Sequence, residues 1–193
     1  GREKHWLRLL VFFACLTLIF WTSVLPVGEL ATNLYLADRN LNRGLDNLMS
    51  DKATLAISQA EAARSQYKRG ETASGRLWFA PLLRLKEPLK QTQNYLVYAA
   101  GLAAATKFSA ESLNLVTEAA DSKVPVETAA TKLEAAQTNI EAARKNLELA
   151  NSLAIVEGKI PTPLKNDYRN LSGKEKDLEG LITSLEETLS VTP

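Results

Sequence analysis

The chain has 193 residues, 46% of them hydrophobic and 7% aromatic, with 23 lysines and arginines against 22 aspartates and glutamates. So large an apolar share excludes a disordered chain, and a net charge of +1 argues against a nucleic-acid partner. One histidine and one cysteine exclude an internal disulfide, a Cys/His zinc site and any catalytic triad not built on His5.

The first element is an apolar run. Residues 1–8, GREKHWLR, set Arg2, Lys4 and Arg8 against Glu3, and Leu9 to Val27 then gives 19 uncharged residues. At about 1.5 Å per residue this run spans roughly 28 Å, close to the hydrocarbon thickness of a bilayer. Trp6 and Trp21 lie toward its two ends, and with Arg2, Lys4 and Arg8 they make a set of membrane-interface anchors. The excess of Lys and Arg ahead of the run places the N-terminus in the cytoplasm and residues 28–193 on the other side. A cleaved signal peptide fits poorly, because its apolar core is shorter and its exit site is small-x-small, unlike Pro26-Val27-Gly28. A type IV pilin has a similar layout, but mature pilins begin with the apolar run and carry glutamate fifth, where this chain has His5. Cys15 reads as an inert lipid-facing or packing residue.

Beyond Gly28 the apolar residues recur every seven positions. Val27, Leu34, Leu41, Leu48, Leu55 and Ala62 fall on one line, predicting a helix over 29–67 that continues straight out of the membrane span. Lys68 to Gly75, KRGETASG, is a turn by composition, and Leu77 to Pro88, broken by Pro81 and Pro88, is a short irregular apolar element. A second helix is expected over 89–122, with Leu96, Ala99, Ala103, Ala110, Leu113 and Ala120 on one face. A third spans 125–157, opening at Pro125, with Val126, Leu133, Ile140, Leu147 and Ala154 in one row and Ala129, Ala136, Ala143 and Ala150 in the next. A fourth spans 163–190, with Thr162 as N-cap and Leu164, Leu171, Leu178 and Leu185 beside Tyr168, Ile182 and Leu189. Short connections make sequential helices antiparallel, so the expected fold is all-α: an N-terminal transmembrane helix continuing into an up-down-up-down four-helix bundle of long, coiled-coil-like helices. The first helix, about 57 Å long, outreaches the last, about 42 Å, and its surplus would form a stalk at the membrane. Gln91 to Thr106, although uncharged, is short for a second span and suits a buried core helix.

No reactive constellation emerges. Gly70 to Leu77 has the glycine spacing of a phosphate loop but lacks its Lys-Ser/Thr and a preceding strand. Glu127, Glu134, Glu141 and Glu148 recur every seven residues, about 10 Å apart along a helix, too far for a shared proton or metal. They read as a solvated flank or as an acidic stripe for a basic partner. Arg64 to Lys90 carries seven basic and two acidic residues, and within it Trp78, Phe79, Leu82 and Leu83 with Arg76 and Arg84 form a candidate interaction patch. The preferred reading of the same cluster is a plug covering the membrane-distal end of the bundle, because two aromatics and three leucines are much apolar surface to leave wet.

The span, the alanine- and leucine-rich helices and the Pro-containing stretch Arg76 to Pro88, RLWFAPLLRLKEP, together resemble the N-terminal part of the bacterial family known as domain of unknown function 4012. The resemblance implies a cell-envelope protein and supplies no catalytic residue. The expected protein is therefore a non-enzymatic, cofactor-free, single-span scaffold or interaction module. Its partners would be the lipid bilayer and other membrane or envelope proteins, a second copy of itself included. The rival readings are a sensor-type ligand-binding ectodomain lacking its second span, and an accessory or filament-forming subunit of a larger membrane assembly.

Overall fold

A computed structural model describes residues 2–191. Helix α1 (Arg2–Ile19) passes through a π turn (Phe20–Val24) into α2 (Leu25–Met49). Over Arg8–Met49 this is one helix of 42 residues, long and apolar enough at its N-terminal end to cross a membrane; it alone among the described helices has these properties. The π turn has a local cause. Pro26 has no N–H to give the carbonyl four residues back, and just before it the Leu25 N–H bonds Phe20 O, a five-residue step. Side chains from Leu9 to Phe20, and Trp6 and Trp21 beside them, stand exposed, as they must if lipid is to cover them. The side chains of Arg2 and Lys4, two of the expected interface anchors, lie outside the described residues.

The described residues that follow form α3 (Ala53–Gly75), α4 (Lys86–Ala119), α5 (Val126–Asn151) and α6 (Thr162–Ser190), with a 3-10 turn at Glu157–Lys159. Four helices were expected beyond the anchor, and the described residues form five. The predicted helix over 29–67 breaks at Ser50–Lys52, and α3 doubles back along α2, so no stalk projects. The break is a Schellman motif: Lys52 N–H bonds Asn47 O at 2.9 Å, Asp51 N–H bonds Leu48 O at 3.3 Å, and Asp51 takes the left-handed conformation at φ 57°. The row expected through Leu55 and Ala62 shifts with it. Leu55 is exposed, and α3 instead buries Ala53, Ala60, Tyr67 and Ser74 with Ala56, Ala63 and Gly70 between them. Lys68 to Gly75 is the last part of α3 rather than a turn. A Cβ on Gly70 would lie 3.1 Å from Leu96 Cδ2, so this glycine serves close helix approach.

Paired side chains fix direction. Asn47–Gln59 (2.7 Å) and Asn40–Gln66 (2.9 Å) set α3 antiparallel to α2, Lys107–Glu61 (2.8 Å) and Asn114–Thr54 (3.4 Å) set α4 against α3, and Ser112 Oγ to Ala136 O (2.9 Å) ties α4 to α5. Helix α6 lies against α5, α4 and α2, joined through Arg144–Glu186 (2.6 Å), Asn170–Asn42 (2.8 Å) and Lys174–Asp46 (2.7 Å). Thus α2, α4 and α6 run away from α1, and α3 and α5 run back. Helix α4 is the central one, burying Tyr95, Leu96, Ala99, Leu102, Ala103 and Ala110 among others, which is where the uncharged stretch Gln91 to Thr106 belongs. Some expected core positions are not core: Val126 is 85% exposed, and Ala120 and Ala154 are exposed beside helix ends. Helix α5 stops at Asn151 instead of 157, and Pro161 rather than Thr162 precedes α6.

Candidate functional site

This topology sorts the connections into two ends. The turns at 50–52 and 120–125 lie far from α1, while the connections 76–85 and 152–161 lie beside it. Arg76, at the end of α3, reaches Glu29 (3.2 Å), two residues past Val27 where the uncharged run stops. Lys159 and Val156 of the other connection reach Glu87 (3.6 Å) and Gln91 (3.1 Å) at the start of α4. The apolar element therefore lies at the α1 end of the bundle, opposite the end expected of a distal plug.

Residues 77–85 fold on themselves. Ala80, Leu82, Leu83, Arg84 and Leu85 all donate their N–H groups within the loop, to Leu77, Phe79, Phe79, Pro81 and Ala80 respectively, at 2.9–3.3 Å. The last two bonds form a second Schellman motif, with Arg84 left-handed at φ 57°. Ala80 is buried, and Phe79 is half-buried, meeting the Trp78 ring edge-on at 6.1 Å. Trp78, Leu82 and Leu83 are 56%, 73% and 61% exposed, with Arg76, Arg84, Lys86 and Lys90 exposed around them. The structure brings the six residues of the candidate patch onto one connection and leaves Trp78, Leu82 and Leu83 uncovered, with Phe79 half-buried.

Glu127, Glu134, Glu141 and Glu148 are all exposed along α5. Glu141 accepts from Gln137 of its own helix at 3.0 Å. The four do not converge, and among the described residues no three His, Cys, Asp or Glu side chains could hold a metal ion.

A buried polar centre escaped the sequence reading. Asp38 of α2 accepts on one oxygen, Oδ1, the hydroxyls of Tyr67 from α3 and Tyr95 from α4, the latter at 2.7 Å. Burial pushes the Asp38 carboxyl up to about 6, against the lowering effect of the two hydroxyls, and the nearby Asp167 carboxylate adds to the rise. Burial and the Asp38 charge in turn push both tyrosines upward, so they remain neutral donors. One turn farther along α4, Tyr98 donates to Glu175 of α6 at 2.5 Å and stacks edge-on with Tyr168 at 5.5 Å. Asp38 also opens onto a cleft of about 220 Å³ lined by Tyr35, Arg39, Asn42 and Asp167. The available signal was an acid in the apolar row of α2 and two tyrosines at alanine-rich core positions, since buried hydroxyls demand a partner.

Comparison with family models, with curated proteins and with solved structures finds no match.

Proposed function

We propose that this protein is a single-span, membrane-anchored helical scaffold or protein-interaction module. Its N-terminus is cytoplasmic and its bundle, the elaborated form of the expected up-down-up-down design, is held on the extracytoplasmic side at the cell envelope. One observation carries this reading: an apolar segment left uncovered by the described residues continues as one helix into the α2 core. Lipid is the solvent that suits an uncovered apolar surface of this length. Orientation rests on Arg2, Lys4 and Arg8 close ahead of the span against the more distant Arg39 and Arg43 behind it. The basic residues from Arg76 to Lys90 do not enter that rule, because it counts charges within about 15–20 residues of the span in sequence. Partners would be lipid, other envelope proteins or a second copy of the chain, in keeping with the resemblance to the domain of unknown function 4012 family.

Alkaline extraction of membranes from expressing cells tests the reading. The full chain should remain with the membranes, and release into the supernatant would overturn it. Crosslinking in those membranes should then yield discrete adducts through the bundle, and only monomer would argue against an interaction module. A second reading, a ligand-sensing ectodomain, draws on the cleft beside Asp38. That cleft, at about 220 Å³, falls below the roughly 300–1,000 Å³ of ordinary small-molecule sites, so the scaffold reading stands first.

A further inference from the structure

We infer that the loop Leu77–Leu85 is a second membrane contact, seating Trp78, Leu82 and Leu83 in the interfacial layer of the same bilayer that α1 crosses. The inference rests on the anchored reading above.

Position comes first. Arg76 is pinned to Glu29, so the residues that follow it continue toward the level of Val27 and Pro26, where the span meets the interface. Side-chain chemistry comes second. Trp78, Leu82 and Leu83 are large and uncovered, and they are ringed by Arg76, Arg84, Lys86 and Lys90, a pattern suited to acyl chains below and anionic headgroups around. Glu87, the acid inside this ring, is already engaged by Lys159 and Gln91. Backbone comes third. A non-helical loop enters an apolar layer the more cheaply the more of its polar groups are satisfied. The N–H groups of residues 80 and 82–85 are bonded within the loop and Pro81 has none, which leaves the Phe79 N–H and the outward carbonyls to the hydrated headgroup level. Such self-satisfaction permits a shallow seat, not a crossing. Because α1 already tethers the bundle, even weak interfacial affinity holds the loop in place at a high effective concentration. Two contacts would fix the tilt of the bundle over the membrane, which a single helical tether does not.

The experiment uses the full chain in vesicles of phosphatidylcholine, with or without phosphatidylglycerol, and lipids brominated at shallow or deep acyl positions. In one variant, Trp6→Phe with Trp21→Phe, Trp78 is the sole tryptophan; in the other, Trp6→Phe with Trp78→Phe, Trp21 is. Quenching of both reporters, with shallow bromines more effective than deep ones on Trp78 and a stronger effect when phosphatidylglycerol is present, is the expected result. Quenched Trp21 with unquenched, water-like Trp78 emission overturns the inference alone, leaving the patch to a protein partner. If neither is quenched, the anchored reading fails and this inference fails with it.

Discussion

Replacing Asp38 by asparagine should change the pH dependence of stability more than stability itself. The side chain is 7% exposed, and burial holds its carboxyl at about 6 against an ordinary 3.8. A folded state that binds the proton more tightly than the unfolded state loses stability as pH rises between those two values. This contribution is fully present below about pH 4 and lost above about pH 6. At 1.36 kcal/mol per pH unit, the difference corresponds to roughly 2–3 kcal/mol between pH 4 and pH 7. Asparagine is uncharged throughout, and its carbonyl can still accept from Tyr67 and Tyr95. Urea unfolding of the full chain in non-ionic detergent, followed by helical circular dichroism, measures both proteins at each pH. The wild type should gain about 2–3 kcal/mol on Asp38→Asn between pH 7 and pH 4. Carboxylates that do not interact with Asp38 cancel in the comparison. Asp167, whose charge raises Asp38, does not, so its share of the difference is removed by repeating the comparison in an Asp167→Asn background. Parallel curves for the two proteins would refute a buried, proton-retaining Asp38.

Other perturbations follow from the same geometry. Asp51→Gly and Arg84→Gly each relieve a left-handed non-glycine residue and should raise unfolding free energy by about 0.5–1 kcal/mol in the same urea assay. Gly101→Ala should cost about 1–3 kcal/mol, because its Cβ would sit 3.0 Å from Ala150 Cβ and 3.2 Å from Asn146 O across the α4–α5 contact. Trp78→Ser, at a half-exposed position, should move the thermal midpoint little, corresponding to about 0.5 kcal/mol or less. A sharp drop would show that Trp78 is packed into the α1 end of the bundle rather than free for a contact.

The seven-residue rows were legible because large aliphatic residues alternate with alanine in α5 and leucine recurs every seven positions in α6, which exposes the seam. Ile140, Leu147, Leu171, Leu178 and Leu185 are buried as the pattern requires. The hairpin between α2 and α3 was hidden for a chemical reason. Schellman turns usually advertise themselves with glycine, and here aspartate occupies the left-handed position while Leu55 continues the old register by coincidence. The glycines of KRGETASG misled in the opposite sense: Gly70 stands in a helix for close packing. Missing the hairpin reversed the location of the apolar loop, because one extra helix moves each later connection to the other end of the bundle. The Asp38 centre joins three helices and has no local spacing to reveal it.

Orientation of the bundle is the claim on which the rest depends. In a Cys15→Ser background, a single cysteine introduced as Asp121→Cys lies in the exposed turn far from α1, and one introduced as His5→Cys lies ahead of the span and leaves Arg2, Lys4 and Arg8 in place. Intact spheroplasts are treated with a membrane-impermeant maleimide, before and after lysis. The account predicts labelling of the position-121 cysteine in intact spheroplasts and of the position-5 cysteine only after lysis. Labelling at position 121 only after lysis would put the bundle in the cytoplasm and contradict it.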